Sequence, residues 1–477
     1  MVNFKDIFFG CSDANTEAER YPKDFKLSFF DPNNYMEELI NGYKFLLIGR
    51  KGEGKTAYNA QITLTASENN IYAYQRTLNN FNNTTFSKLK TYSELGSNTY
   101  ISLWKSILLI EAVRMLFEFE PNIPSNEFVN IMDALNSNGF LQKDDDIAVT
   151  VTKLVESDSS LNVKSTFSHN RRYETSTELR GSEAIYNAIL NSIKNLYFHS
   201  KFIFIIDGLD DILNNSEFKS EIIMGLIRAA EEINKTFRKF TLNLKVVILI
   251  RSDILKLCHD PNLTKIIRDS GIRLSWQIYD NPFDSNLLKL VEKRVGISTE
   301  NVTSLKSVLD EILPDVIHNK NTMDYLLDNI IYRPRDILQL FSIIQEEYIP
   351  NKKLTEDKLE TVLKRYSTEY FLSAMQDELT GFFPNDAVTK LPTVLTKMGT
   401  QYFYVANLET EIRKYPEFNG ISAQDILETL FNAGYIGQHR PREKTDFTVF
   451  SYRNNSEVLN VDHQCILHRG LMRALSI

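Results

Sequence analysis

Cysteine is scarce in this 477-residue chain: Cys11, Cys258 and Cys465 are the three residues, and they lie far apart. An odd, dispersed set argues against a disulfide framework. Long apolar runs are also missing. The greasiest stretches, 202–206 and 246–250, fall far short of the roughly 20 residues that cross a bilayer. The first six residues already contain Lys5 and Asp6, and no signal-type apolar stretch follows, so a cytoplasmic protein with no membrane partner is expected. Basic excess is absent: 54 Lys plus Arg face 62 Asp plus Glu, a net charge of −8. That argues against a surface that coats nucleic acid wholesale, while leaving room for a local basic patch. There are no repeats, and no Gly-x-Ser-x-Gly, His-Glu-x-x-His or nuclease-type carboxylate cluster. Any cutting module would therefore sit on another chain.

What is present reads as an ordinary globular α/β protein, with 43% apolar and 24% charged residues. At roughly 150 residues per domain the length suggests about three domains. Three continuous apolar runs have the texture of strands covered on both faces: 44–48, 202–206 and 246–250. Each ends in a residue able to do chemistry, respectively Gly49, Asp207 and Arg251. Ligands of open α/β sheets bind at the carboxyl ends of strands, so these ends can converge on one site. A fourth run, 272–276, is a further strand candidate. Between the first and second strands, 104–119 and 183–198 read as helices. The polar stretch near 143–180 reads as an insertion carrying a hairpin, with 149–152 alternating like an exposed strand.

From Pro282 onward the spacing predicts helices over 286–295, 304–313, 323–331, 335–348 and 357–379, the last capped at Thr355 or Glu356. After Pro384 a short helix, 423–433, is stopped by Gly434, and two β-like pieces follow at 447–452 and 458–461. Helix, glycine turn and ribbon together suggest a winged helix.

The segment Gly49-Arg50-Lys51-Gly52-Glu53-Gly54-Lys55-Thr56, followed by Ala57, matches the P-loop pattern in full. Its glycines let backbone N–H groups curl around phosphate oxygens at a helix N-terminus. Lys55 would reach the β and γ phosphates of ATP, and Thr56 would offer its hydroxyl to Mg²⁺. Asp207 would complete the metal shell, and Asp210 or Asp211 would orient or deprotonate water, with a slight preference for Asp210. Arg251 is placed to sense the γ-phosphate, with a surface arginine paired with Asp253 as the plain alternative. In Tyr332-Arg333-Pro334-Arg335-Asp336, two cations at a helix start are costly unless an anion compensates; a phosphate or Asp336 can do so. Arg335 is the favoured phosphate contact, Arg333 the lesser one.

These motifs resemble those of STAND and AAA+ NTPases. The Asp207-Gly208-Leu209-Asp210-Asp211 run is similar to the Asp-Gly-Leu-Asp-Glu of NACHT proteins, and Arg333-Pro334-Arg335-Asp336 resembles the sensor-2 motif of archaeal initiators and KAP-type NTPases. The opening Phe9-Gly10-Cys11-Ser12-Asp13-Ala14-Asn15-Thr16-Glu17, the Tyr366-Ser367 pair and the closing His468-Arg469-Gly470-Leu471 resemble a bacterial family of P-loop ATPases. Many of its relatives sit among prokaryotic defence genes.

The resemblance implies an α/β P-loop domain over 1–282, a parallel sheet flanked by helices, then a helical lid over 283–380 and a winged helix over 381–477. It implies an ATP-binding and ATP-hydrolysing switch that signals to a separately encoded effector or sensor, in a homo- or hetero-oligomer. The alternatives are a DNA-acting initiator- or loader-type machine and a non-hydrolysing nucleotide scaffold. Phe8 and Phe9 would flank the adenine or simply pack in the core. Arg268 occupies the stretch where AAA+ assemblies place an arginine finger, with a solvated arginine as the plain alternative. ATP rather than GTP is implied by the resemblance, since no Asn-Lys-x-Asp motif follows the third strand. From Gln438 onward six cations face four carboxylates, a net +2, and 423–433 carries Asp425 and Glu428 with no cation. An internal clamp or protein contact is favoured there over DNA. His463, Cys465 and His468 give too few ligands for a structural zinc site.

Overall fold

The structure is a computed structural model that describes residues 4–78, 98–120, 123–142, 146–156, 160–169, 171–209, 219–256, 258, 260–278, 281–299, 304–440, 447–454 and 457–477. The chain divides into two compact units, Asn33–Gly49 with Tyr58–Arg273, and Met1–Pro32 with Arg50–Ala57 and Leu274–Ile477.

The first of these units is built on a sheet. In chain order its strands are β1 (Leu46–Gly49), β2 (Ile71–Thr77), the hairpin pair β3 (Ser160–His169) and β4 (Arg171–Arg180), then β5 (Lys201–Asp207), β6 (Leu244–Arg251) and β7 (Gly271–Arg273). Five of them form an all-parallel sheet in the order β2-β5-β6-β1-β7. All eight residues of β6 are buried, Lys245 and Arg251 included, and the Val246–Ile250 run between them has the continuous Val/Ile/Leu texture of a central strand. Asn234, on the helix Lys219–Lys239, fastens that helix to β6: its amide accepts from the Val246 N–H and donates to the Val246 carbonyl, both at 2.9 Å.

The 22-residue helix Asn98–Phe119 is buried from Leu103 to Leu116 apart from the half-buried Lys105, and its buried Glu111 and Arg114 pair with each other at 2.5 Å. It passes close to Gly225 of the helix Lys219–Lys239, where a Cβ would lie 2.9 Å from the Cβ of Tyr100. The hairpin near 160–180 is present as β3 and β4, paired antiparallel. Residues 149–152, expected as an exposed strand, instead lie in the helix Ile147–Glu156. Ile147, Ala148, Val151 and Leu154 make a buried helical stripe, and the Asp146 carboxylate accepts from the Val149 N–H at 3.0 Å. Tertiary burial outweighs the β propensity of the Val-Thr-Val-Thr run.

The other unit is mainly helical around one apolar core that runs from Phe4 to Leu475 in sequence. Phe9 is part of that core, stacked on Phe341 with ring centroids 5.6 Å apart, so it packs as a core residue. Phe8 lies edge-on to Tyr21 at 5.1 Å. Gly10 has φ +91°, and a Cβ there would fall 2.1 Å from Glu17 and 2.3 Å from Arg294. Those two buried side chains form an ion pair at 2.9 Å, which accounts for both ends of the opening motif.

The predicted helices occur here as Asn286–Ser298, Leu305–Ile312, Thr322–Leu327 and Pro334–Glu347. Beyond a short ribbon of β8 (Val316–Ile317) and β9 (Lys320–Asn321), the expected 357–379 helix is interrupted. Glu356–Arg365 gives way to a π-helical segment, Tyr366–Phe371, before Leu372–Leu379. The wide turn presents Ser367 to the last helix, Arg469–Leu475: its hydroxyl donates to the Gly470 carbonyl at 2.6 Å and accepts from the Ala474 N–H at 2.9 Å.

Toward the C-terminus, helix Ala423–Ala433 ends at Gly434 with φ +93°. An antiparallel sheet then forms from β10 (Tyr402–Phe403), β11 (Ile436–Arg440), β12 (Phe447–Phe450) and β13 (Cys465–Leu467), in the order β10-β13-β11-β12. The piece expected at 458–461 is not a strand: Val458 is 75% exposed, and the apolar residues that pair lie further on, in β13.

Candidate functional site

The register of the parallel sheet sets its carboxyl edge. Leu46 and Ile206 both pair with Ile248, and Gly49 pairs with Arg251. Asp207 therefore stands level with Leu249, two residues before Arg251, or about 7 Å along the strand direction at ~3.3 Å per residue. Asp207 closes β5, and its carboxylate accepts from the Gly208 N–H at 2.8 Å. Asp210 and Asp211 lie outside the described residues. Arg251 closes β6 and is 4% exposed, with Nε and Nη2 on the two carboxylate oxygens of Asp253 at 3.0 and 2.5 Å. The expected pairing with Asp253 is thus present, in a buried rather than a surface setting. Arg268, the arginine-finger candidate, has a side chain 77% exposed and an ion pair to Asp269 at 3.2 Å.

The glycine-rich loop follows β1 and leads into the helix Lys55–Thr65. Gly52 and Gly54 adopt φ +81° and +99°, which only glycine takes without strain. Among the described residues, a Cβ on Gly54 would meet nothing within 4 Å. The Lys55 ammonium donates to the Arg50 carbonyl at 3.0 Å, and the Ala57 N–H donates to the Gly54 carbonyl at 3.0 Å. Thr56 is the second residue of the helix. Glu53 braces the loop from inside: its carboxylate accepts from the Arg50 N–H at 2.7 Å, and burial raises its pKa against the pull of Arg50 and Lys55.

Successive loop residues are held by the C-terminal part of the same unit. The Arg50 guanidinium donates to the Ser451 carbonyl at 2.7 Å, and the Lys51 ammonium donates to the Asp377 carbonyl at 3.2 Å. The Gly52 carbonyl accepts from the Arg335 N–H at 3.4 Å, and the Glu53 carbonyl from the Trp276 indole at 3.0 Å. Arg335 lies over Gly52, its Cβ 3.4 Å and Cδ 3.7 Å from where a Gly52 Cβ would be. Among the described residues its guanidinium makes no hydrogen bond or ion pair.

Arg333 is placed differently from its neighbour. It is the N-cap residue of Pro334–Glu347 and only 3% exposed. Its Nε donates to Asp336 at 3.1 Å, Nη1 to Glu378 at 3.0 Å and to the Lys51 carbonyl at 3.4 Å, and Nη2 to the Tyr435 hydroxyl at 3.1 Å. Burial works against this charge, yet Asp336, Tyr435, Tyr370 and Glu378 together hold its pKa well above the ordinary value. Asp336 also accepts from the Tyr370 hydroxyl at 2.6 Å and from the Ile331 N–H at 3.2 Å. The compensating anion at this helix start is thus a carboxylate for Arg333, which leaves Arg335 open to another. Trp276, Glu378, Tyr435 and Ser451 carry no local sequence signal for these roles; distant chain segments bring them to the loop.

Near the C-terminus His468 is an N-cap: its Nδ1 accepts from the Gly470 N–H at 3.0 Å, and its Nε2 shares a hydrogen bond with the Tyr452 hydroxyl at 3.1 Å. No group of three or more metal-capable side chains occurs among the described residues. No helix among them is long and apolar enough to cross a membrane.

Comparison with known proteins adds two findings. Residues 285–374 match the model of the FunZ-associated C-terminal helical domain. That stretch contains Arg333, Arg335, Asp336, Tyr366 and Tyr370. The chain is also 22% identical over 460 residues, 89% of its length, to an Escherichia coli (strain K12) protein named for transposon gamma-delta and its 80.3 kDa mass. It spans 61% of that relative's length.

Proposed function

We propose that this protein is an ATP-binding and ATP-hydrolysing molecular switch of the STAND/AAA+ type, acting in a prokaryotic anti-phage defence system. The observation that carries the reading is the strand order. β6 lies between β1 and β5, so the start of the glycine-rich loop, Arg251 and Asp207 lie at the carboxyl ends of three adjacent parallel strands. The left-handed glycines, and the space around Gly54 that is open among the described residues, suit a loop that cradles phosphate; among the same residues the Arg335 guanidinium over Gly52 has its donors available.

Bound ATP with Mg²⁺ supplies the electrophilic phosphorus and neutralises charge. Within this reading Gly49, Arg50, Lys51, Gly52, Glu53, Gly54 and Ala57 form the cradle, and Lys55 binds the β and γ phosphates. Thr56 and Asp207 hold the metal ion, and Asp210 or Asp211 orients water. Arg251 and Arg335 make contacts that depend on the γ-phosphate, and their loss on hydrolysis biases the unit toward a second state. The C-terminal sheet with helix Ala423–Ala433 is read as a winged helix that clamps the loop through Ser451. An effector or sensor encoded separately receives the signal, within an oligomer.

A second reading, a DNA-acting AAA+ machine, draws on the same C-terminal architecture and on a relative named for a transposon. The acidic 423–433 helix weighs against it. Steady-state ATP hydrolysis by wild type and Lys55→Ala, with and without duplex DNA, separates the readings. Turnover that requires Lys55 and ignores DNA supports the switch; severalfold stimulation by DNA favours the machine. Tightly held nucleotide without turnover makes the protein a scaffold and removes the catalytic roles of Asp210 and Asp211.

A further inference from the structure

Five N–H donors belong to a guanidinium, and in Arg333 four hydrogen bonds spread over Nε, Nη1 and Nη2 run to four different parts of the chain. Asp336 lies in the first turn of Pro334–Glu347, and Glu378 on Leu372–Leu379. Lys51 belongs to the glycine-rich loop, and Tyr435 immediately precedes β11. The Tyr435 ring is also near the cation, 5.7 Å from centroid to guanidinium carbon. Around the same point, the buried Tyr366 hydroxyl has no hydrogen-bond partner among the described residues, and it sits in the π-helical segment that docks the last helix. A buried cation is tolerable only while its partners stay in place. A shift of the Lys51 carbonyl therefore leaves a buried donor unmet unless Arg333 follows, and Arg333 cannot follow without disturbing Tyr435.

We infer that Arg333 is a positioning residue that makes the conformation of the glycine-rich loop and the seating of β11 a single variable. It contacts no phosphate itself. The inference rests on the nucleotide-switch reading and names the side chain through which the loop's state reaches the C-terminal sheet. Arg335, two residues on, is the ligand-facing member of the pair, and Arg333 is the member facing the protein. Lysine cannot replace it, because one ammonium cannot reach acceptors arranged around a planar fork.

Hydrogen–deuterium exchange on the full chain tests this, with and without ATP and Mg²⁺, for wild type, Arg333→Lys and Tyr435→Phe. Tyr435→Phe removes one hydroxyl and keeps the ring in the core, so it preserves the fold if Arg333→Lys does not. Without nucleotide, both variants should raise exchange in 50–54 and 436–440 together. With nucleotide, wild type should change in both segments, whereas Tyr435→Phe should bind nucleotide as wild type does and change in 50–54 alone. A variant that loosens one segment and not the other overturns the inference. So does Tyr435→Phe transmitting the nucleotide response unaltered. Exchange raised equally in Asn385–Met398 marks a merely structural residue and also overturns it. If ATP changes nothing in wild type, the nucleotide reading falls, while the nucleotide-free arm still decides the role of Arg333.

Discussion

Gly49 and Arg251 are paired residues across β1 and β6, each the last of its strand. The buried Arg251 guanidinium is oriented by both oxygens of Asp253, which fixes its direction. In the proposed reaction it contributes when charge builds on the γ-phosphate. Arg251→Ala should then lower kcat for ATP by roughly 100-fold, the usual scale for losing one preorganised donor, while nucleotide affinity is held. Parallel measurement of turnover and of nucleotide binding checks this. Undiminished turnover would remove Arg251 from the mechanism.

Acid should unfold the protein through His468. Burial first, then the nearby cations Arg453 and Arg333, push its pKa down to about 3. The unfolded chain takes up this proton near pH 6.5, as an ordinary histidine does. Between those values the unfolded state holds more protons, so stability is full above pH 6.5 and declines as pH falls toward 3. The decline attributable to this group is about 3 kcal/mol by pH 4. His468→Asn keeps an N-cap acceptor and removes the titration. Its urea midpoint should be lower than wild type at pH 7, and should fall less between pH 6.5 and pH 4. Parallel pH profiles for the two proteins would assign the acid loss elsewhere.

Two opposing effects meet at Gly225. Alanine gains about 1 kcal/mol of helix propensity over glycine at an interior helical position. Its methyl would, however, arrive 2.9 Å from the Cβ of the buried Tyr100, where overpacking costs about 1–3 kcal/mol. Gly225→Ala should therefore be neutral to destabilising by up to about 2 kcal/mol. Equilibrium urea denaturation checks it; a clearly raised midpoint would mean that the two helices separate freely.

Continuity and period made much of this architecture readable from sequence. The runs ending at Gly49, Asp207 and Arg251 are strands because a short, continuous apolar segment between polar flanks is buried most readily as a strand covered on both faces. Gly434 ends its helix where the sequence said it should, because a left-handed residue there favours glycine. Residues 149–152 misled because Val and Thr alternate on paper, whereas the burial of Val151 and Leu154 depends on helices distant in sequence. The same holds at the site. Arg333 and Arg335 are near-equivalent in a string of letters, and only the folded chain assigns Asp336, Glu378 and Tyr435 to the first. The interruption at 366–371 has no local signature: its extra residue is explained by the last helix, about a hundred residues further on.

The helical unit is assembled from three stretches of chain: its first 32 residues, the eight of Arg50–Ala57, and everything from Leu274. A gene fragment beginning at 274 would encode Phe341 without the Phe9 that covers it, and Trp276 without the carbonyl it binds. Recombination at that boundary would likewise hand a recipient an uncovered apolar surface instead of a working module. The unit is therefore discontinuous in sequence, and no single cut in the chain yields it intact.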